Sequence, residues 1–348
     1  MSLDITENIR HHGFKRLLLA VSGGLDSICL AHYFIANREA LGIEWLGLAH
    51  VHHGLREGTA DRDAAFVEAF ARKHNVPFFL KKLDGVELKN AEGSLEENAR
   101  DARYKALQDV AKNCDAIVTA HHAGDQAETM YMRLKRGTTL AGLRGIQETR
   151  AVPGHDIAIF RPFLNVTRGE LLAYARENKL EWCEDESNDD VTFARNFTRH
   201  KALPHLEETC PGATEQLCRI AGIADRAYAK VIAKCEAVFD SILVKQDPST
   251  PLRFAQDDTH TITLDKKKLN KILREHADAD LSEMFRLWLS EQGLRFPIAF
   301  FYSPKEPAHV KIPVRAAYRK RSIAKIGRTV RICEFSTPEE AQKFVSCE

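Results

Sequence analysis

From Arg16 to about Ala120, short apolar runs alternate with longer amphipathic stretches. LLLAV, LGLAHV, PFFL and AIVTA have the length and content of buried strands. Between them, 27–36, 62–74 and 95–111 carry apolar residues at helical spacing. That rhythm predicts an α/β fold, a doubly wound, mostly parallel sheet with helices on both faces. In such a sheet the ligand crevice lies beyond the carboxyl ends of the strands. The polar segments that follow LLLAV, LGLAHV and AIVTA are SGGLDS, HHGLRE and HHAGDQAET, so three polar loops are expected along one edge.

Further along, a helical pattern runs through Arg136, and Gly137 and the Gly142–Gly145 region interrupt it. IAIFRPF and TRGELLAYARENK read as another strand and helix, and the polar loop CEDESNDDVTFARN leads into a helix ending near Leu206. Pro211-Gly212 marks the expected boundary between two domains, 1–210 and 211–348. The second is expected to be smaller and mostly helical, from a helix over 213–244 and the amphipathic runs LDKKKLNKILREHA and LSEMFRLWLSEQG. Its tail, Val310 to Cys333, is strand-like, and the apolar residues of MFRLWL at 284–289 read as core.

A chain of 348 residues with 44% hydrophobic content can bury two cores. No stretch approaches 18 apolar residues and MSLDITENIRHH holds no apolar run, so a soluble, cytoplasmic protein without a membrane partner is expected. The eight cysteines are scattered without a CxxC pair, which argues against a zinc ribbon, an iron–sulfur site or a disulfide framework. Fifty Lys+Arg against 49 Asp+Glu leave a formal charge of +1, so any basic surface is local. One cluster stands out: Lys311, Arg315, Arg319, Lys320, Arg321, Lys325, Arg328 and Arg331, with Tyr318 among them and no acid until Glu334. It reads either as a surface that tracks RNA phosphates or as a solvated face.

The sharpest chemical signal is Ser22-Gly23-Gly24-Leu25-Asp26-Ser27, set between a strand and a helix. Glycines let backbone approach an anion, serine hydroxyls add donors, and the following helix points its positive end at a phosphate. The loop lacks the Gly-Lys-Ser/Thr ending that assists transfer of a terminal phosphate, and suits a grip on the outer two phosphates and their release as pyrophosphate. Asp26 and Asp125 are each placed to bind a magnesium ion or to cap a helix. His121 and His122 follow AIVTA directly, so at least one is expected to face the crevice. His50 and His52 share one side of a strand end, with His53 beside them. Without a cysteine or HxxxH partner they suit adenine lining or RNA contact better than zinc. Arg103 can offset charge on pyrophosphate or an adenylate, or pair with Glu97 or Asp101 at the surface.

SGGxDS in this setting resembles the PP-loop of the N-type ATP pyrophosphatases, which activate a carbonyl or carboxyl oxygen as an adenylate. HVHHGLRE at 50–57, SLEENARDARYKAL at 94–107, TAHHAGDQAETMYMRLKRGTTLAGLRG at 119–145 and RPFLNVTRGELLAYARENKLEWCEDESNDDVTFARNFTRHKALP at 161–204 resemble the tRNA(Ile)-lysidine synthetases. With the PP-loop these segments span nearly all of the first 205 residues in the expected order. The resemblance implies an adenine nucleotide alpha-hydrolase-like fold, with ATP and Mg2+ as cofactors. It implies ligation of L-lysine to C2 of the wobble cytidine of tRNA(Ile) with a CAU anticodon, and it is compatible with a homodimer.

For this chain's residues, the resemblance puts ATP on Ser22, Gly23, Gly24, Leu25, Asp26 and Ser27, with His50 among its ligands and Arg195, Asn196 and Arg199 folding over it. It makes Asp26, Asp125, His121 and Arg103 catalytic, with Asp26 and Asp125 toward Mg2+. Asp185 and Asn188 either hold the ammonium of lysine or belong to a solvated turn. The family pattern HHxDDQxET meets Gly124 in place of its first acid, so the catalytic carboxylate passes to Asp125. Three other readings stand beside this one: a tRNA 2-thiocytidine synthetase, which would carry the CxxC absent here, a small-molecule ligase, and a catalytically silent tRNA-binding protein.

Overall fold

The computed structural model describes residues 3, 5–54, 59–152, 155–184, 194–239, 261–265, 315–318, 321–326 and 329–334. The chain divides into two compact units, 1–224 and 225–348. The first opens with α1 (Thr6–His11), β1 (Arg16–Ala20), α2 (Leu25–Ala36), β2 (Trp45–His52), α3 (Thr59–Lys73) and β3 (Phe78–Lys82). It continues through α4 (Gly85–Asn90), α5 (Leu95–Val110), β4 (Ala116–Val118), α6 (Ala123–Arg136) and α7 (Leu140–Leu143). Next come β5 (Thr149–Ala151), β6 (Ala158–Phe160) and α8 (Arg168–Glu177). α9 (Ala194–Phe197) then passes through a π-helical turn, Thr198–Ala202, into α10 (Leu203–Thr209), and α11 (Ala213–Phe239) follows.

Six strands form one sheet in the order β3-β2-β1-β4-β6-β5. All neighbours are parallel except β5, which runs antiparallel to β6 at the edge. β1 is central and has no polar face. Leu17 and Leu19 enter a core with Ile28 and Leu30 of α2 and Leu171 of α8, while Leu18 enters another with Ile117 of β4 and Leu107 of α5. A strand buried on both sides reads as a continuous apolar run, which is why LLLAV is legible. Each such leucine contributes about 1.5–3 kcal/mol by its burial.

Local signals set the helix starts. Ser94 accepts from the Glu97 amide at 3.2 Å to begin α5, and Thr167 and Glu170 form a reciprocal capping box at α8. A smaller apolar cluster of Ala127, Met130, Leu203, Leu217 and Ala221 fastens α6 to α10 and the start of α11. No described helix is long and apolar enough to cross a membrane.

The topology fixes the crevice. From β1 the chain steps outward to β2 and β3, then returns past β1 to β4 on its other side, so strand order reverses between β1 and β4. Ligands in open α/β sheets bind at that reversal, beyond the strands' carboxyl ends. The segments there are Ser22–Ser27 after β1 and His121–Glu128 after β4.

Gly212, with φ of +83°, stands between α10 and α11, while the division between the two units falls within α11. In the second unit the described residues are the rest of α11 and a four-stranded antiparallel sheet. Its strands are β7 (Thr261–Asp265), β8 (Arg315–Tyr318), β9 (Arg321–Ile326) and β10 (Thr329–Glu334), in the order β7-β10-β9-β8. The strand-like tail thus takes shape as β8 to β10, and β7 was not anticipated. The amphipathic runs between β7 and β8 lie outside the described residues, apart from the first two positions of LDKKKL, which end β7.

Candidate active site

At the tip of β1 the chain turns sharply. Gly23 has φ of +102°, a left-handed backbone that disfavours any side chain, and a Cβ there would also lie 3.5 Å from Val67 and 3.6 Å from Cys183. The buried Ser27 hydroxyl closes the turn from within. It donates to the Gly24 carbonyl at 2.9 Å, accepts from the amides of Ser22 and Gly23 at 3.2 Å each, and lies 3.1 Å from Ser22 Oγ. The Cys183 amide donates to the Gly23 carbonyl at 2.9 Å and pins the loop from outside. Gly24 is the N-cap of α2 and supplies no side-chain acceptor to the helix's first amides. Backbone donors, two hydroxyls and a helix start together make a cradle for a polyanion.

Asp26 stands in the first turn of α2. Its Oδ1 is sealed from solvent with no hydrogen-bond partner, and its Oδ2 lies 3.7 Å from His122 Nε2. Burial pushes its carboxyl above the ordinary range; His122 and Arg168 oppose the shift and Asp125 reinforces it.

Across the crevice, His122 caps α6. Its Nδ1 accepts from the Gly124 amide at 2.9 Å, and Asp125 Oδ2 accepts from the His122 amide at 3.0 Å. An imidazole nitrogen that accepts carries no proton, so the neutral ring holds its hydrogen on Nε2, 3.7 Å from both Asp26 Oδ2 and Asp125 Oδ2. The neighbouring His121 contacts Thr119 Oγ1 through Nδ1 at 2.9 Å. Burial, with Arg161, Arg103 and Arg195 acting against Asp125, pushes it down to about 3, so it stays neutral at physiological pH.

Asp125 and Glu128, three apart on α6, meet Arg195 of α9 and Arg199 of the π turn that follows it, four apart. Arg195 donates to Asp125 Oδ1 at 2.8 Å and to Glu128 Oε2 at 2.9 Å. Arg199 donates to Glu128 Oε1 at 2.5 Å, to Glu128 Oε2 at 3.2 Å and to Asp125 Oδ1 at 3.3 Å. Burial alone would raise the Asp125 carboxyl, but His122, His121 and Arg195 hold it below its ordinary value. Burial would likewise lower Arg199, but its hydrogen bond to Glu128 holds it raised.

The other expected residues are spread around this centre. His50 is buried at the end of β2 and donates through Nδ1 to the Val21 carbonyl at 2.9 Å, which leaves Nε2 as its acceptor. Arg103 lies over the Tyr104 ring at 5.3 Å, and its charge reaches both His121 and His53. Burial pushes His53 down to about 4, and its buried Nδ1 has no hydrogen-bond partner. Asn196 sits in α9 between the network's arginines, and Asp185 and Asn188 lie outside the described residues.

Two features escaped the sequence reading. Glu128 was not singled out, although its spacing from Asp125 and the matching spacing of Arg195 and Arg199 put complementary charges on two helix faces. Of the histidine pair, His121 was given the catalytic role and His122 none.

Among the described residues, no three His, Cys, Asp or Glu side chains converge as a ready metal cage. Magnesium does not need one, because it takes one or two carboxylates and completes its shell with phosphate and water. The unpartnered Asp26 Oδ1 fits that role, whereas both oxygens of Asp125 already accept hydrogen bonds.

A family model described as PP-loop domain matches residues 2–206. Among curated proteins, the chain is 32% identical over 302 residues to the tRNA(Ile)-lysidine synthase of Actinobacillus pleuropneumoniae serotype 3, covering 85% of this chain and 64% of that protein. It is 39% identical over 209 residues to the tRNA(Ile)-lysidine synthase of Pseudomonas fluorescens, covering 60% and 46%. It is 33% identical over 270 residues to the bifunctional protein TilS/HprT of Listeria monocytogenes, covering 77% and 41%. The chain therefore spans between 41% and 64% of the length of these relatives. Among solved structures, the U34-tRNA thiolase NcsA from Methanococcus maripaludis matches with a TM-score of 0.51 at 18% identity, over 64% of this chain and 78% of that one; the likeness is one of fold.

Proposed function

This chain belongs to the PP-loop domain family, and we propose that it joins L-lysine to C2 of the wobble cytidine of tRNA(Ile) with a CAU anticodon. The observation that carries this reading is the meeting, at the β1–β4 reversal, of a glycine-serine cradle with the unpartnered buried oxygen of Asp26. The lysidine synthase relatives support the choice of substrate.

The cytosine C2 oxygen attacks the α-phosphorus of ATP. An O–P bond forms, the bond to the β-phosphate oxygen breaks, and pyrophosphate leaves from the cradle. A lysine amine then attacks C2, the C–O bond to AMP breaks, and the amine gives up a proton. Held in place, reactants gain far more than free encounter allows. Magnesium, held by Asp26 with Asp125 behind it, would supply positive charge against the phosphates.

The chain's own groups divide the rest of the work. Ser22, Gly23, Gly24 and Ser27 grip the outer phosphates, with His50 behind Val21 toward the adenine side. Neutral His121 hydrogen-bonds the developing oxygen charge, and Arg103 offsets it. Arg195 and Arg199, with Asn196 between them, turn toward phosphate, which frees Asp125 and Glu128 to hold the ammonium of lysine.

Residues 1–210 carry the chemistry and 211–348 contact the tRNA in this reading, in the cytoplasm where tRNA is modified. Of the basic tail, Arg315, Arg321, Lys325 and Arg331 lie on β8 to β10, while Lys311, Arg319, Lys320 and Arg328 lie outside the described residues.

Incubation with ATP, radiolabelled lysine and total tRNA tests the proposal, and label in RNA is the expected result. ATP turnover that ignores RNA would favour a small-molecule ligase instead. Gly124 favours one further reading, a silent tRNA-binding protein, and pyrophosphate release that requires both tRNA and lysine would exclude it.

A further inference from the structure

Gly124 has an ordinary helical backbone, so conformation does not demand glycine there. Space does. A Cβ at this position would lie 2.6 Å from His122 Cε1 and 3.0 Å from His122 Nδ1, closer than packed atoms tolerate. A side chain at 124 therefore makes the imidazole shift from its present place. That place is defined on three sides: Nδ1 accepts from the Gly124 amide at 2.9 Å, and Nε2 stands 3.7 Å from Asp26 Oδ2 and 3.7 Å from Asp125 Oδ2. The ring is buried, at 5% exposure, so its hydrogen competes little with water.

We propose that His122 is a positioning residue, given room by Gly124, whose Nε2 stands 3.7 Å from a carboxyl oxygen of each of Asp26 and Asp125 and ties the two together electrostatically across the β1–β4 reversal. Two carboxylates facing one another across a buried gap repel; a polar N–H placed between them offsets that repulsion. The kinetic part of this inference rests on the function proposed above, while the geometric part does not.

Three variants of the whole chain separate positioning from mere support. Asparagine is a good N-cap and can accept from the Gly124 amide, but it is too short to reach Asp26, so His122→Asn keeps the helix start and removes the tie. Gly124→Ala keeps His122 and displaces its ring, and alanine is the better helix former. Both variants should melt near the wild-type temperature. Each should lower kcat for pyrophosphate release about tenfold or more with KM for ATP nearly unchanged, the scale seen when outer partners of a site are removed. The double variant should be no worse than either single, because both remove one interaction. Independent losses that multiply in the double variant, or unchanged kcat in both singles, would overturn the proposal.

Nitrogen NMR of histidine-labelled protein supplies a readout free of activity. The wild-type His122 signal should report the Nε2–H tautomer and shift in Gly124→Ala. An Nδ1–H tautomer, or no response to Gly124→Ala, would refute the geometry. Should the wild type release no pyrophosphate with ATP, tRNA and lysine, the proposed function fails while this spectroscopic arm still decides the role of His122.

Discussion

Two strand tips flank the same crevice and are built on opposite plans. At β1 the loop Ser22–Ser27 is small and carries Asp26 as its one charge, and its bonds are backbone amides to one internal hydroxyl. At β4 the segment His121–Glu128 is charged, and its contacts reach residues 67 to 74 positions away through Arg195 and Arg199. The first is shaped before a ligand arrives, since its donors are main-chain groups that cannot swing aside. The second is a set of exchangeable ion pairs, in which an anion for the arginines or a cation for the carboxylates can replace an internal partner. The crevice thus pairs a fixed grip with an adjustable one.

Substitutions can break or sharpen that contrast. The largest effect is expected for Asp26→Asn, which should reduce pyrophosphate release by about a thousandfold, the scale for loss of one preorganised electrostatic group. Its stability should hold or rise at neutral pH. A carboxyl raised by burial favours folding below its ordinary value of 3.8 and loses that contribution as pH climbs through the native one. A fall in the denaturation midpoint at pH 7 would contradict the buried, unpartnered Oδ1.

Next in size, Glu128→Gln should cost about 3 kcal/mol in chemical denaturation, because it leaves two arginines beside a buried neutral group. A loss under about 0.5 kcal/mol would mean the network is no more than a surface pairing. In the fixed loop the effects should be smaller. Gly23→Ala, forced to hold φ of +102°, should lose about 1–2 kcal/mol by the same measurement, with nucleotide affinity falling alongside. No change there would show that the loop is as adaptable as its neighbour.

The smallest effect on stability at neutral pH belongs to His121→Gln, whose influence on the fold appears on acidification. With its native value pushed down to about 3 against 6.5 when free, His121 binds a proton more readily in the unfolded chain, so stability declines as pH falls from 6.5 toward 3. The Gln variant should show a flatter acid limb in urea titrations at successive pH values. A parallel limb would place the acid sensitivity elsewhere, with Asp125 the next group. Held below 3.8, Asp125 gives its contribution above that value and loses it beneath.

How much of this was legible depended on the range of the interactions. LLLAV declares a central strand because each of its neighbours in space is apolar, and SGGLDS declares a cradle because its chemistry closes within six residues. The strands β1 to β4 and β6 were read from alternation, whereas β5, whose three residues are Thr149 to Ala151, is too short to carry a pattern. The ion-pair network was hidden because its halves are far apart in sequence. Arg195 and Arg199 read as phosphate ligands, and nothing local showed that Asp125 and Glu128 hold them first. Gly124 looked like a missing acid, and only the coordinates reveal the ring that fills its place.

The helical segment that carries Arg195 and Arg199 has one more property. Between α9 and α10 it widens into a single π turn, Thr198–Ala202, and such a turn accommodates one residue more than an α-helix would. Each residue of an α-helix advances it by about 100°, so deleting one residue here would rotate everything downstream by roughly that angle. Leu203 would then leave Ala127 and Met130, or the arginines would leave their carboxylates. That bulge acts as a phase setter, allowing one continuous segment to keep a charged stripe and a greasy stripe each aimed at α6, and shortening it would force the chain to give up one of the two.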